Sequence, residues 1–458
     1  MTGSLSKADY QGGNFESDQT FTERDAVSFR VRSTIDTKWN NRNKTSFNMV
    51  FRDNRMDQNP SYLIRQFRDS GQLTGFGSGE INSNQYNSYM ALVQHKINWK
   101  EENSSLIFGA TSDLSPQDYV AERTDVTVDP TTGRNMDFSI RNGEYVLNYE
   151  ANILNFATYS QYEISPLTNL KVTAALRYDS FSYDYRNRAI GVGVSDSKDT
   201  YDNLTPKLGI NYNFNWHSGV YANYSQGFTP PQVSTLYRNR NQLMDIKPSI
   251  YENYEIGGYF NIAEKLKLDG ALYILNGKNT LIGIRDNDDV IINTNAGQTS
   301  SYGLEYGITY WPSPKLSLTH NGSYARHRYI KFFENGVDYS DTDRETAPRL
   351  LGISKITYRP LKNLSLSAEH ELVGSYNTSF EGQVDNGNGS FGTASYGGHN
   401  IINLRAIFQM KHVELWMHAL NVFDELYAAQ ASYSSFSGQN SYTIGNPFSF
   451  HGGIRYLF

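Results

Sequence analysis

Hydrophobic and polar residues alternate one by one along most of this chain, from about residue 25 to its end. In KLKLDGALYIL (265–275) one face carries Leu266, Leu268, Gly270, Leu272 and Ile274, and the other Lys267, Asp269, Ala271 and Tyr273. NLKVTAALRYD (169–179) sets Leu170, Val172, Ala174, Leu176 and Tyr178 against Lys171, Thr173, Ala175, Arg177 and Asp179. HVELWMHAL (412–420) sets Val413, Leu415, Met417 and Ala419 against Glu414, Trp416 and His418. Period two is the signature of a β-strand with two unlike faces. Each such segment runs for about ten residues, longer than a typical globular strand and right for a tilted strand crossing a bilayer.

The connections between segments alternate too. Short ones fall near 40–43, 99–103, 165–169, 215–219, 263–265, 312–315, 359–363 and 411–412. Long stretches rich in Asn, Gly, Ser, Asp and Tyr fall near 55–85, 115–148, 184–203, 228–247, 331–346, 376–397 and 425–446, with a shorter one near 284–290. Short turns at one end and long loops at the other predict an all-β fold, a transmembrane antiparallel β-barrel. A soluble sandwich would keep its polar face in water, whereas aromatics here collect at strand ends, as in an interfacial girdle. A solenoid needs a constant period, which the uneven loops deny. In hydrocarbon every backbone N–H and C=O must be paired internally, so strands survive only in a closed sheet.

Composition sharpens the picture. The mean hydropathy of −0.58 is very polar, yet 14% of residues are aromatic, with 34 Tyr and 24 Phe. Disordered chains are poor in aromatics, so this one folds. A barrel reconciles the two, because its apolar outward residues are diluted one-to-one by polar inward ones. No run is long and apolar enough for a transmembrane helix, and the start lacks the pattern of a signal peptide. There are no cysteines, which removes disulfides and Cys-ligated metal. A net charge of −6 without a basic block argues against nucleic acid.

From about residue 150 onward the chain resembles the C-terminal barrel of TonB-dependent outer-membrane receptors. NLTPKLGINYNF (203–214) and GVYANYSQGFTPPQVSTLY (219–237) resemble the family's paired strands leading into a Gly-Phe-x-x-Pro loop. IKPSIYENYEIGGYF (246–260) is similar to its Lys-Pro-Glu…Asn-Tyr-Glu-x-Gly strand, with Ser249 and Ile250 in place of the acidic start. NTNAGQTSSYGLEYGITYWP (293–312), LNVFDELYA (420–428) and the final FHGGIRYLF resemble three further motifs, in the family's order. The resemblance implies bacterial outer-membrane localisation, a barrel of about 22 strands around a plug, and energised import of a scarce chelate, most often a ferric siderophore. A same-family receptor for a vitamin or oligosaccharide, or a passive porin-like barrel, are the alternatives.

Strand counting gives about 17 of the expected 22. The first short turn makes strand 25–39 run downward from outside, as does the last strand, so an upward strand is missing at the front. The expectation is a C-terminal fragment: 1–24 a remnant of an extracellular loop or a disordered start, and 25–458 barrel. Plug, signal peptide and coupling segment would lie upstream, so the TonB complex would be a partner only through that missing part.

No catalytic constellation stands out, so no enzyme activity is expected. His320 and His370 fall on the apolar side of their strands. The family's haem receptors carry Phe-Arg-Ala-Pro where this chain has Phe228, Thr229, Pro230 and Pro231, and no histidine occurs between His217 and His320. Haem is disfavoured, and no cofactor or resident metal is expected. Arginine forks suit carboxylate or hydroxamate oxygens, and aromatic rings cover flat ligands. That chemistry nominates Tyr62, Arg65, Arg68, Tyr119, Arg123, Arg186, Arg188, Tyr237, Arg238 and Arg240 on the long loops as ligand contacts. Lipopolysaccharide phosphate is the competing partner for such residues. At the C-terminus the outward ladder Phe448, Phe450, Ile454, Tyr456 and Phe458 faces lipid, and Ser449, His451 and Arg455 face inward. The resemblance implies that Phe450, Ile454, Tyr456 and Phe458 form the signal read by the barrel assembly machinery.

Overall fold

The computed structural model describes residues 5–16, 21, 23–59, 64–100, 103–237, 246–285, 291–295, 297–334, 337–387, 389–434 and 438–457. Seventeen long strands form one antiparallel sheet that curves into a barrel. They are β1 (Arg24–Lys38), β2 (Asn43–Gln58), β3 (Gln72–Trp99), β4 (Ser104–Val128), β5 (Asn135–Leu167) and β6 (Leu170–Asn187). Next come β7 (Ser197–Asn215), β8 (Ser218–Thr229), β9 (Ser249–Ile262), β10 (Leu266–Lys278), β11 (Gln298–Ser313) and β12 (Leu316–Lys331). The last five are β13 (Leu350–Leu361), β14 (Leu364–Val373), β15 (His399–Met410), β16 (Val413–Leu420) and β17 (Ser449–Tyr456). Each pairs with the next in chain order. At each of the eight short connections the flanking strand ends pair directly, at one rim. Among the described residues β1 pairs only with β2 and β17 only with β16.

The lipid-facing side follows from the alternation. On β11, Tyr302, Leu304, Ile308 and Tyr310 point outward and are exposed. Eight steps from Tyr302 to Tyr310 make about 27 Å of strand, or roughly 20 Å of height once tilted, close to the apolar band of such barrels. Tyr324 and Tyr358 on β12 and β13 are exposed in the same way. Phe448, just before β17, and Phe450, Ile454 and Tyr456 on it are exposed outward; Phe458 lies outside the described residues.

Two histidines on this outer face find partners within the sheet. His320 forms a hydrogen bond at each ring nitrogen, Nε2 with Tyr306 Oη at 3.0 Å and Nδ1 with Ser354 Oγ at 2.8 Å. His370 Nε2 pairs with Asn400 Oδ1 at 3.0 Å. The Tyr306 ring lies over Gly322, where a Cβ would sit 2.6 Å from its oxygen, so any larger residue there has to displace the ring. Tyr221 covers Gly257 on the inner face in the same manner, at 2.6 Å.

Two long stretches expected as loops are largely strand. The regions 55–85 and 115–148 are entered by β3, β4 and β5, which have 28, 25 and 33 residues, where crossing a bilayer takes about ten. Their upper parts pair with one another above the membrane, and a short strand, Arg65–Asp69, adds to β3 there. Water lets these extensions dispense with an apolar face, so their sequence reads as loop although their backbone is a sheet. At the same end a helix, α1 (Lys7–Gly12), follows a strand pair between Leu5–Ser6 and Tyr442–Ser441. It seats Tyr10 flat on Tyr442, with ring centroids 4.4 Å apart.

Candidate functional site: extracellular rim and lumen wall

Above the membrane, the inward side of the β4–β6 wall carries a continuous stack of tyrosines. Tyr119, Tyr149, Tyr185 and Tyr237 follow one another at 5.3, 5.2 and 4.1 Å between ring centroids. Tyr237 is the last residue of a short helix, α2 (Val233–Tyr237), which the stack anchors to the wall. Val194, Val233, Leu236 and Ile246 close over it, leaving a buried core. Tyr183 Oη donates to the Pro231 carbonyl at 3.0 Å. Tyr237 donates to the Asp199 carboxylate; burial, and then Asp199, pushes its phenol well above the ordinary range.

The nominated ligand residues therefore divide into groups. Tyr119 and Tyr237 are brought together, inside this stack and buried. Arg188 stands on the other side of the wall and ties three strands, bonding Asp118 at 2.8 Å and Glu150 at 2.7 Å. Arg65, Arg68, Arg123 and Arg186 are exposed on separate stretches of the rim. Arg68 Nη1 donates to the Gly71 carbonyl at 3.1 Å, and Arg186 lies 3.8 Å from Asp184. Tyr62, Arg238 and Arg240 lie outside the described residues. A second rim cluster, which sequence reading missed, centres on Asp343 in the loop after β12. This buried carboxylate pairs with Arg326 at 2.7 Å and with Arg349. Burial raises its pKa, but the two guanidinium groups outweigh that and hold it below the usual carboxylate range.

The lumen wall across β8–β13 holds a cavity of about 590 Å³ lined by Tyr221, Tyr259, Asp269, Glu305 and Asn321. Tyr221 Oη donates to Glu255 at 2.8 Å and Tyr259 Oη to Asn213 at 2.7 Å. The wall is acidic and open to the lumen, a surface suited to cationic groups. Glu255 and Glu305 sit inside NYEIGGYF and GLEYGITY, on the polar face of the alternation; that parity was the available signal for them.

The profile of the family described as "TonB dependent receptor-like, beta-barrel" matches residues 2–424. The chain belongs to that family. Like the family's other barrels, it is a bacterial outer-membrane protein. Solved structures share its fold at low identity. The siderophore receptor PiuA from Acinetobacter baumannii is 13% identical, with TM-score 0.73, covering 95% of this chain and 64% of that one. The ferric citrate transporter FecA, unliganded, is 15% identical with TM-score 0.77, covering 100% and 65%. The pyoverdine outer-membrane receptor FpvA from Pseudomonas aeruginosa PAO1, bound to pyoverdine, is 14% identical with TM-score 0.73, covering 100% and 66%. This TonB-dependent receptor barrel thus spans under two thirds of the length of PiuA and FecA. No curated protein matches it in sequence.

Proposed function

We propose that this barrel serves a receptor for energised uptake of a ferric siderophore or similar iron chelate across the outer membrane. The observation that carries the reading is the family match over residues 2–424, joined to a barrel whose wall continues above the membrane as an ordered rim. Structural relatives named as a siderophore receptor, a ferric citrate transporter and a pyoverdine receptor support the ligand class. The exposed arginines Arg65, Arg68, Arg123 and Arg186 supply forks for anionic chelate oxygens. Arg188 is committed to its two carboxylates and acts by holding the rim together. Tyr119 and Tyr237 act beneath the surface, fixing the position of α2 and the loop around it. The outward strands meet lipid, the rim arginines also meet lipopolysaccharide, and the exposed ladder of β17 presents the assembly signal.

The test is growth and radioactive iron uptake in a strain deleted for the whole gene, supplied with defined chelates under iron limitation. Loss of uptake of one ferric chelate, restored by the gene and weakened by Arg123→Ala with Arg186→Ala, supports the reading. Unchanged iron uptake, with growth lost instead on cobalamin or a glycan, overturns the ligand class.

A further inference from the structure

The lumen face of the first two strands carries charge that the sheet does not neutralise. On β1, Val27, Phe29, Val31 and Ile35 point outward and are exposed, so Arg30 and Arg32 point into the lumen. The register sets Arg30 directly across from Arg52 of β2, and like charges in that relation repel. Among the described residues no carboxylate forms an ion pair with any of the three. Arg32 Nη2 has only a neutral acceptor, Asn48 Oδ1 at 3.0 Å. Arg52 Nε is shut off from solvent with no acceptor at all. The neighbouring Asp113 is already engaged, accepting from Ser88 and Ser115 at 2.9 Å each. Two other arginines of the sheet do have acidic partners: Arg177 has Asp179 at 2.7 Å, and Arg455 has Glu414 at 3.2 Å.

We propose that Arg30, Arg32 and Arg52 form an oxyanion-binding site on the lumen wall. Guanidinium forks match the paired oxygens of a carboxylate, sulfate or phosphate, and one such group between Arg30 and Arg52 turns their repulsion into two charge-assisted contacts. The oxyanion comes either from a small solute in the lumen or from acidic side chains of a polypeptide seated there. Both present the same chemistry to the three arginines.

The test uses the full chain in detergent micelles at constant ionic strength, set with chloride. Inorganic sulfate and an acetylated hexaglutamate peptide are titrated separately, and the thermal unfolding midpoint is read. The expected result is a saturable rise with at least one probe. That rise is lost in the Arg30→Gln/Arg52→Gln double variant and shifted at least tenfold to higher concentration in Arg30→Lys/Arg52→Lys, which keeps charge but loses the fork. In chloride alone the glutamine variant unfolds at a higher temperature than the parent, because the repulsion is gone. A response to the peptide at lower concentration than to sulfate assigns the site to polypeptide carboxylates; the reverse order assigns it to a small oxyanion. No saturable rise with either probe, or an equal rise in the parent and the lysine variant, overturns the proposal.

Discussion

Tyrosine plays opposite parts above and within the membrane. In the rim, Tyr149 and Tyr185 are fully buried at the centre of a stack, and the wall coheres as a soluble core does, by removing aromatic surface from water. Within the membrane, Tyr302, Tyr310, Tyr324 and Tyr358 are exposed at the edges of the apolar band, where an amphipathic ring is at home. The two sets belong to one sheet, the rim pair on β5 and β6 and the girdle set on β11 to β13. What changes at the girdle is the solvent, and with it the meaning of exposure: in the rim an exposed residue meets water, and below the girdle it meets hydrocarbon.

The contrast makes graded predictions. The largest effect belongs to the rim: Tyr149→Ala, at a site with 0% exposure, should destabilise by about 4 kcal/mol, read as faster proteolysis of the β4–β7 loops in intact cells. An unchanged cleavage rate would show that the stack is not the core of the wall. Next comes Leu272→Arg on β10, at a position 56% exposed. A soluble surface would tolerate it, but facing lipid it should cost about 3 kcal/mol in folding into vesicles. A cost under about half a kcal/mol, the soluble-surface range, would mean that this face is not in the membrane.

Asp343→Asn should cost about 2 kcal/mol at neutral pH by leaving Arg326 and Arg349 unpaired. Because the folded carboxyl is held low, its contribution is complete above the ordinary Asp pKa of about 4 and fades as pH falls through the lowered folded value. The difference between parent and variant should therefore shrink in strong acid, and a difference that widens there refutes the ion pair. The smallest effect is a gain. Ala263 and Glu264 both hold positive φ, 50° and 55°, in the turn between β9 and β10, where the Lys265 N–H reaches the Ile262 carbonyl at 3.1 Å. Replacing them by Asn and Gly, which tolerate that conformation, should raise stability by about 1 kcal/mol in urea titration.

The membrane zone was the readable part. Hydrocarbon enforces strict alternation, so the outward face of KLKLDGALYIL and the outward ladder at the C-terminus follow from residue parity, and breaks in the alternation mark the eight short connections. The rim obeys no such rule. The extensions of β3, β4 and β5 are written in Asn, Gly, Ser and Asp, residues that suit loops when read one at a time. Their pairing depends on long neighbours that come elsewhere in the chain. The tyrosine stack draws one ring from each of β4, β5, β6 and α2, and that coincidence exists only once register is set. Tyr119 and Tyr237 were thus visible as aromatic residues near arginines, while their partners Tyr149 and Tyr185 were not.

The seat of α1 bears on the order in which the chain matures. Tyr10 Oη donates to the Leu426 carbonyl, 416 residues away, and the entropy of closing so long a loop is met only when little of the chain between remains free. Docking of α1 is therefore expected late in folding, once pairing of the intervening strands has shortened the loop left to close. Cleavage near residue 10 by added protease should persist until that moment and then stop, so protection of the first helix would report when the segment around Leu426 and Tyr442 has reached its final place.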